Sequence, residues 1–262
     1  MGGNASLRRV GVFVIGSESG QWLSVPGAPA HHRPEGGAGV RSPAARAVLV
    51  LIGVALVALA AIFYISRYLR SPTPFAVAQT GPHEARLTLG TTPAVGKLGH
   101  NPSWVSYLVR KNGQWDQTTV FDVPAHSLVH VTIYNFDGAS ALRNPFLSQV
   151  EGTVGGNMQI NGKPTKVIPP DDASHTFSVP QFGLTVPLKG VPDNAPHQCA
   201  EMPCPLSKAH ETITFTFRTG KPGRYRWQCF VPCAAGFIDG FAGPMQTIGY
   251  MDGFIHVMPS ST

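Results

Sequence analysis

Two cysteine pairs and one histidine motif are the residues whose types and spacing can do chemistry. Cys229 and Cys233 lie in YRWQCFVPCAAG, with three residues between them, and Cys199 and Cys204 lie in CAEMPC. An alternating segment delivers Cys229, so the two sulfurs that follow can face one point from a single loop. Two thiolates beside an imidazole form a soft donor set that suits copper or zinc. His175, in DDASHTFSVPQFG, is the candidate imidazole, and the thioethers of Met245 and Met251 would suit Cu(I). The same cysteines read equally as disulfides in an oxidising compartment, and four cysteines allow three pairings. Cys199 and Cys204 are expected to form a structural bridge beneath a proline-rich loop. A zinc site built from all four cysteines would need unusually loose spacings.

Short strands must position these residues. Residues 128–135 alternate Val129, Val131 and Ile133 with His130, Thr132 and Tyr134. Residues 211–218 alternate Ile213, Phe215 and Phe217 with threonines, and 224–229 alternate Tyr225, Trp227 and Cys229 with Arg224, Arg226 and Gln228. Residues 118–123 and 253–258 read as further strands. Period-two alternation puts one face in a core and the other toward solvent. With 29 Gly and 24 Pro as punctuation, the pattern predicts a sandwich or barrel. Trp227, Phe215 and Phe217 read as core, and His130 and His210 as strand-face residues.

The histidine motif and the cysteine loop together resemble the copper-bearing domain of cytochrome c oxidase subunit II. The likeness covers roughly residues 120–258. It implies an all-β, cupredoxin-like Greek-key β-sandwich preceded by one transmembrane helix. By this resemblance His175 is the first imidazole ligand, and Cys229 and Cys233 are the bridging thiolates. Met251, ahead of the closing strand, corresponds loosely to the family's methionine. The position of the family's second histidine holds Phe237, and that of its methionine holds Gly240. A full dinuclear centre therefore lacks two ligands. A mononuclear site would draw on His175, on one or both of Cys229 and Cys233, and on either Met245 or Met251. The implied function is copper binding and electron transfer, in company with haem-containing oxidase subunits or a small redox protein. In that role the domain is at most a non-catalytic electron-transfer subunit. The alternatives are a metal-free, disulfide-stabilised scaffold for assembly or interaction, and a copper chaperone.

Residues 47–65 run for 19 positions without a charge, AVLVLIGVALVALAAIFYI, between Arg46 and Arg67. As a helix they span about 28 Å, close to a hydrocarbon core. The expected organisation is a disordered tail over 1–45, a transmembrane helix over 46–66, a linker or first edge segment over 67–95, and the cupredoxin-like domain over 96–262. A slight excess of arginine before the span places the N-terminus in the cytoplasm and the domain outside. Residues 1–95 carry eight Arg against three Glu, whereas 96–262 carry twelve basic and eleven acidic residues. The folded part is therefore nearly neutral, which argues against nucleic-acid binding. No nucleophile elbow, phosphate-binding loop or His-Glu-x-x-His motif is present.

Overall fold

The computed structural model describes residues 42–68, 72–98, 102–233 and 243–259. The expected disordered tail, 1–45, lies almost wholly outside them, and so do Phe237 and Gly240. One α-helix among the described residues, α1 (Pro43–Tyr68), contains the apolar run. Pro43 suits its first turn, where a missing N–H costs nothing. Its segment Pro43–Ser66 is long and apolar enough to cross a membrane.

The other described residues form β-strands joined by loops and short 3-10 turns. In chain order the strands are β1 (Phe75–Ala76), β2 (Ala78–Gly81), β3 (Glu84–Thr92), β4 (Ser106–Lys111), β5 (Gln114–Asp116), β6 (Val120–Pro124) and β7 (Leu128–Asn135). They continue as β8 (Met158–Ile160), β9 (Lys163–Thr165), β10 (Ala173–Val179), β11 (Leu184–Lys189), β12 (Glu211–Arg218), β13 (Gly223–Gln228) and β14 (Asp252–Met258). One sheet has the order β1-β6-β14-β13-β10-β11, and the other β5-β4-β3-β7-β12-β8-β9 with β2 beside β3. Both mix parallel and antiparallel pairs: β3 runs parallel to β7, and β6 parallel to β14. Parallel neighbours need crossovers rather than hairpins, so the chain changes sheets repeatedly, as the expected cupredoxin-like Greek-key sandwich requires.

The alternation over 128–135 and 211–218 is realised without a slip. β7 and β12 pair in continuous register from Asn135↔Glu211 to Leu128↔Arg218, with Val129, Val131, Ile133, Ile213, Phe215 and Phe217 in the core. The other sheet answers with Phe121, Phe177, Trp227 and Ile255. Trp227 is fully buried, stacks on Phe177 and Phe121 at centroid distances of 5.0 and 5.8 Å, and donates Nε1–H to the Thr119 carbonyl.

The linker reading of 67–95 needs correction. β3 occupies most of its second half and lies inside a sheet, paired with β4 on one side and β7 on the other. Ala85, Leu87 and Leu89 alternate with Glu84, Arg86 and Thr88, and all three apolar side chains are buried. The prolines that flank the segment mark its ends; between them the period-two pattern gains a full ladder of hydrogen bonds. The β-rich unit therefore includes residues assigned to the spacer.

Candidate metal centre

His175, Cys229 and Cys233 come together, and the donor atoms of the three buried residues all lie within 4.8 Å of one another. Each arrives for a local reason. On β10 the core-facing positions are Ala173, Phe177 and Val179, so alternation turns His175 the same way. The register of β10 on β11 shifts between Ala173 and His175, an irregularity of the kind that re-aims a side chain. Cys229 follows directly after β13 and is tied down by its N–H to the Met251 carbonyl at 2.9 Å. The loop then doubles back across β10, where the Phe230 N–H donates to Thr176 Oγ1 at 2.9 Å.

His175 Nδ1 lies 2.8 Å from Cys233 Sγ and 3.9 Å from Cys229 Sγ, and the two sulfurs are 3.3 Å apart. Both cysteines are free thiols. On the other edge of the imidazole, Nε2 lies 3.0 Å from Asp137 Oδ2. Tyr107 forms part of the wall. Its ring centroid is 6.4 Å from that of His175 and 4.9 Å from that of Trp227, and its hydroxyl donates to the Thr176 carbonyl at 2.9 Å.

The electrostatics follow from burial and crowding. Burial alone pulls the His175 pKa down, but the hydrogen bonds and charges of Asp137 and Cys229 outweigh it and raise the value to about 9. Burial opposes ionisation of Cys229. The Cys233 thiol, His175 and the Thr176 N–H overcome it and hold Cys229 well below the usual thiol range. Cys233 is pushed well up by its hydrogen bond to Cys229 and by burial, because a second anion so close to the first is unfavourable. Burial and then the nearby thiolates push Tyr107 well up. The surroundings thus favour the proton on His175 and make Cys229 the more acidic of the two thiols.

The sequence-predicted methionines separate. Met245 comes to the loop: its Sδ accepts the Cys233 N–H at 3.1 Å. Met251 is fully buried, and its hydrogen bond to the loop runs through its carbonyl oxygen, not its thioether. Cys199 and Cys204 are joined as a disulfide, packed with Leu108, Trp115, Phe136 and Met202 in a satellite cluster. His130 is a half-buried face residue of β7, as expected, whereas His210 lies half-buried in the loop just before β12 and not on a strand. His130 Nδ1 meets Thr216 Oγ1, and His210 packs edge-on against Tyr134. His256 pairs with Asp122 and is removed from the cysteines in its contacts.

Sequence reasoning missed Asp137 and Tyr107. Asp137-Gly138 reads as turn chemistry at the end of β7, where Asp is common for local reasons. Tyr107 sits in a run, SYLVRK, that lacks clean alternation.

No family model matches the chain, and no curated protein does. Solved structures do resemble it. Rusticyanin from Thiobacillus ferrooxidans aligns at 16% identity over 74% of this chain and 89% of its own, with a TM-score of 0.29. A heme-copper terminal oxidase dimer gives 12% identity over 82% and 99%, with a TM-score of 0.26. The McoA multicopper oxidase from Aquifex aeolicus gives 10% identity over 74% of this chain, with a TM-score of 0.30; the match spans 30% of that longer protein. The reading of the site rests on its own atoms.

Proposed function

We propose that this chain is a membrane-anchored, subunit II-like copper protein that holds copper between His175, Cys229 and Cys233 and passes electrons to a partner. The observation that carries the reading is the convergence of one imidazole and two free thiols, from segments more than fifty residues apart, in a buried pocket. A structural role for two adjacent buried cysteines is more simply met by a disulfide, as Cys199 and Cys204 show. The donor set fits copper: two soft sulfurs and one borderline nitrogen, with the Met245 thioether next to Cys233 as a further soft donor.

When bound, copper supplies one-electron redox chemistry. The chain's own residues provide the rest. His175 and the cysteine pair close on one point. Tyr107, Phe177 and Trp227 form a dry wall behind them, keeping water from the sulfurs. Tethers from Cys229 to Met251 and from Phe230 to Thr176 hold the loop, so little rearrangement accompanies a change of charge. Helix α1 serves as the anchor, with the N-terminus cytoplasmic and the β domain outside. The partners in this reading are haem-bearing oxidase subunits or a small redox protein.

The test is to purify the full chain in detergent without reductant, supply Cu(II), and measure bound copper, visible absorption and free thiols on one sample. One or two copper ions per chain with a thiolate-to-copper charge-transfer band support the proposal. A chain with no copper, no band and no free thiols overturns it in favour of a disulfide-stabilised scaffold. Tight Cu(I) binding without redox cycling would favour delivery of metal over electron transfer.

A further inference from the structure

We propose that Asp137 is the positioning residue of this centre: by accepting the Nε2–H of His175 it fixes Nδ1 as the nitrogen offered to a metal beside Cys229 and Cys233. The inference rests on the metal reading of those three residues.

An imidazole has two chemically similar nitrogens, and which one binds a metal is set by the hydrogen bond the other makes. Here the two edges of His175 meet different chemistry. Nδ1 faces sulfur at 2.8 and 3.9 Å, and Nε2 faces a carboxylate oxygen at 3.0 Å. A ring flip would exchange Nδ1 with Cδ2 and Nε2 with Cε1, turning carbon edges toward both the thiols and the carboxylate and losing both contacts.

The carboxylate is itself held. Its Oδ1 accepts the Gly138 N–H at 2.8 Å, which leaves Oδ2 to His175. The Asp137 N–H donates to Asn135 Oδ1 at 3.1 Å, and the Asp137 carbonyl accepts the Val191 N–H at 2.9 Å. Asn135 is fully buried, takes the Thr91 hydroxyl on the same Oδ1, and donates from Nδ2 to the Lys189 carbonyl at 2.7 Å. The support therefore draws on the ends of β3, β7 and β11. Gly190 permits it: a Cβ there would lie 2.3 Å from the Ala139 nitrogen, so only glycine lets these two segments touch. Asp137 also borders a cavity of about 310 Å³ together with Phe136, Val191 and Gln198. With 24% of its side chain exposed, against 4% for His175, the carboxylate links the buried ligand to solvent. A carboxylate on the far nitrogen is the arrangement by which metal-bound histidines are oriented and made more basic.

The experiment uses the full chain in detergent micelles, labelled with ¹⁵N-histidine, first metal-free and reduced, then titrated with Cu(I). The expected result is a slowly exchanging His175 Nε2–H in the wild type that persists when Cu(I) is added, while the Nδ1 resonance moves. Asp137→Ala should lose that proton signal and bind Cu(I) ten- to a hundredfold more weakly in competition with a chelator. Asp137→Asn, which keeps an acceptor oxygen, should recover the signal and most of the affinity; a merely structural role would not make this distinction. A wild type without the protected proton, a shift of Nε2 instead of Nδ1, or an Asp137→Ala affinity within twofold of wild type would each overturn the assignment. A wild type that keeps the proton but binds no Cu(I) would overturn the metal reading itself, and with it the ligand-positioning role.

Discussion

Cys229 Sγ and Cys233 Sγ lie 3.3 Å apart, unbonded, with the Thr176 N–H donating to the first at 3.4 Å and the Met245 sulfur accepting from the backbone of the second. This pair is the centre of the site, and its surroundings lead to distinct expectations.

Substituting the ligands should separate metal binding from folding. His175→Ala or Cys233→Ser should remove bound copper and its charge-transfer band, measured by metal analysis and absorption on the same sample. Circular dichroism should still report the β sandwich, because its core lies in Phe121, Phe177, Phe217 and Trp227. Copper retained in full by either variant would exclude that residue as a ligand.

Metal affinity should rise with pH. In the metal-free protein His175 keeps its proton up to about pH 9, so a metal binding at pH 7 must displace it. For that proton alone the apparent affinity gains about tenfold per pH unit. The gain from His175 should level off above about pH 9, and competition titrations from pH 6 to 10 would read it. In an Asp137→Ala variant the levelling should come at lower pH, because a group that raises the His175 value is gone.

The buried indole is the largest single packing element of the core. Trp227→Ala should destabilise the domain by about 3–5 kcal/mol, read as a lower midpoint in urea. The same change opens the wall behind Tyr107, so any copper band should broaden or shift as well.

Gly190→Ala places a Cβ against the Ala139 nitrogen and must push the Gly138–Ala139 segment away. The expected cost is about 1–3 kcal/mol, typical of overpacking. Copper binding should weaken together with stability, because Asp137 moves with that segment. Gly220→Ala, where a Cβ meets nothing within 4 Å, is the control and should leave copper binding unchanged.

Reduction of the Cys199–Cys204 bridge should cost about 2 kcal/mol, the loop-closure value for so short a loop. A Cys199→Ser, Cys204→Ser double variant would show this as a lower melting temperature. Its copper content should match the wild type, since the bridge belongs to the satellite cluster beside Trp115 and Phe136.

The sequence by itself determined the apolar helix and the strands over Leu128–Asn135 and Glu211–Arg218, and it singled out His175, Cys229 and Cys233 as candidate ligands. Each is a local signal: an uncharged run, a two-residue period, or a motif that fixes where a side chain leaves a strand. Tertiary structure alone decided what surrounds those donors. Glu84–Thr92 became an inner strand because it pairs with residues more than forty positions away on β7. Met245 approaches the cysteine loop with its sulfur, whereas Met251 meets it with its backbone; both sit beside the same loop in sequence, and only the path of the chain separates their roles. Asp137 faces His175 because the end of β7 is clamped to Val191 through a glycine contact. Those pairings join residues distant in the chain across two sheets, and no local pattern records which partner a turn aspartate or an irregular strand will meet.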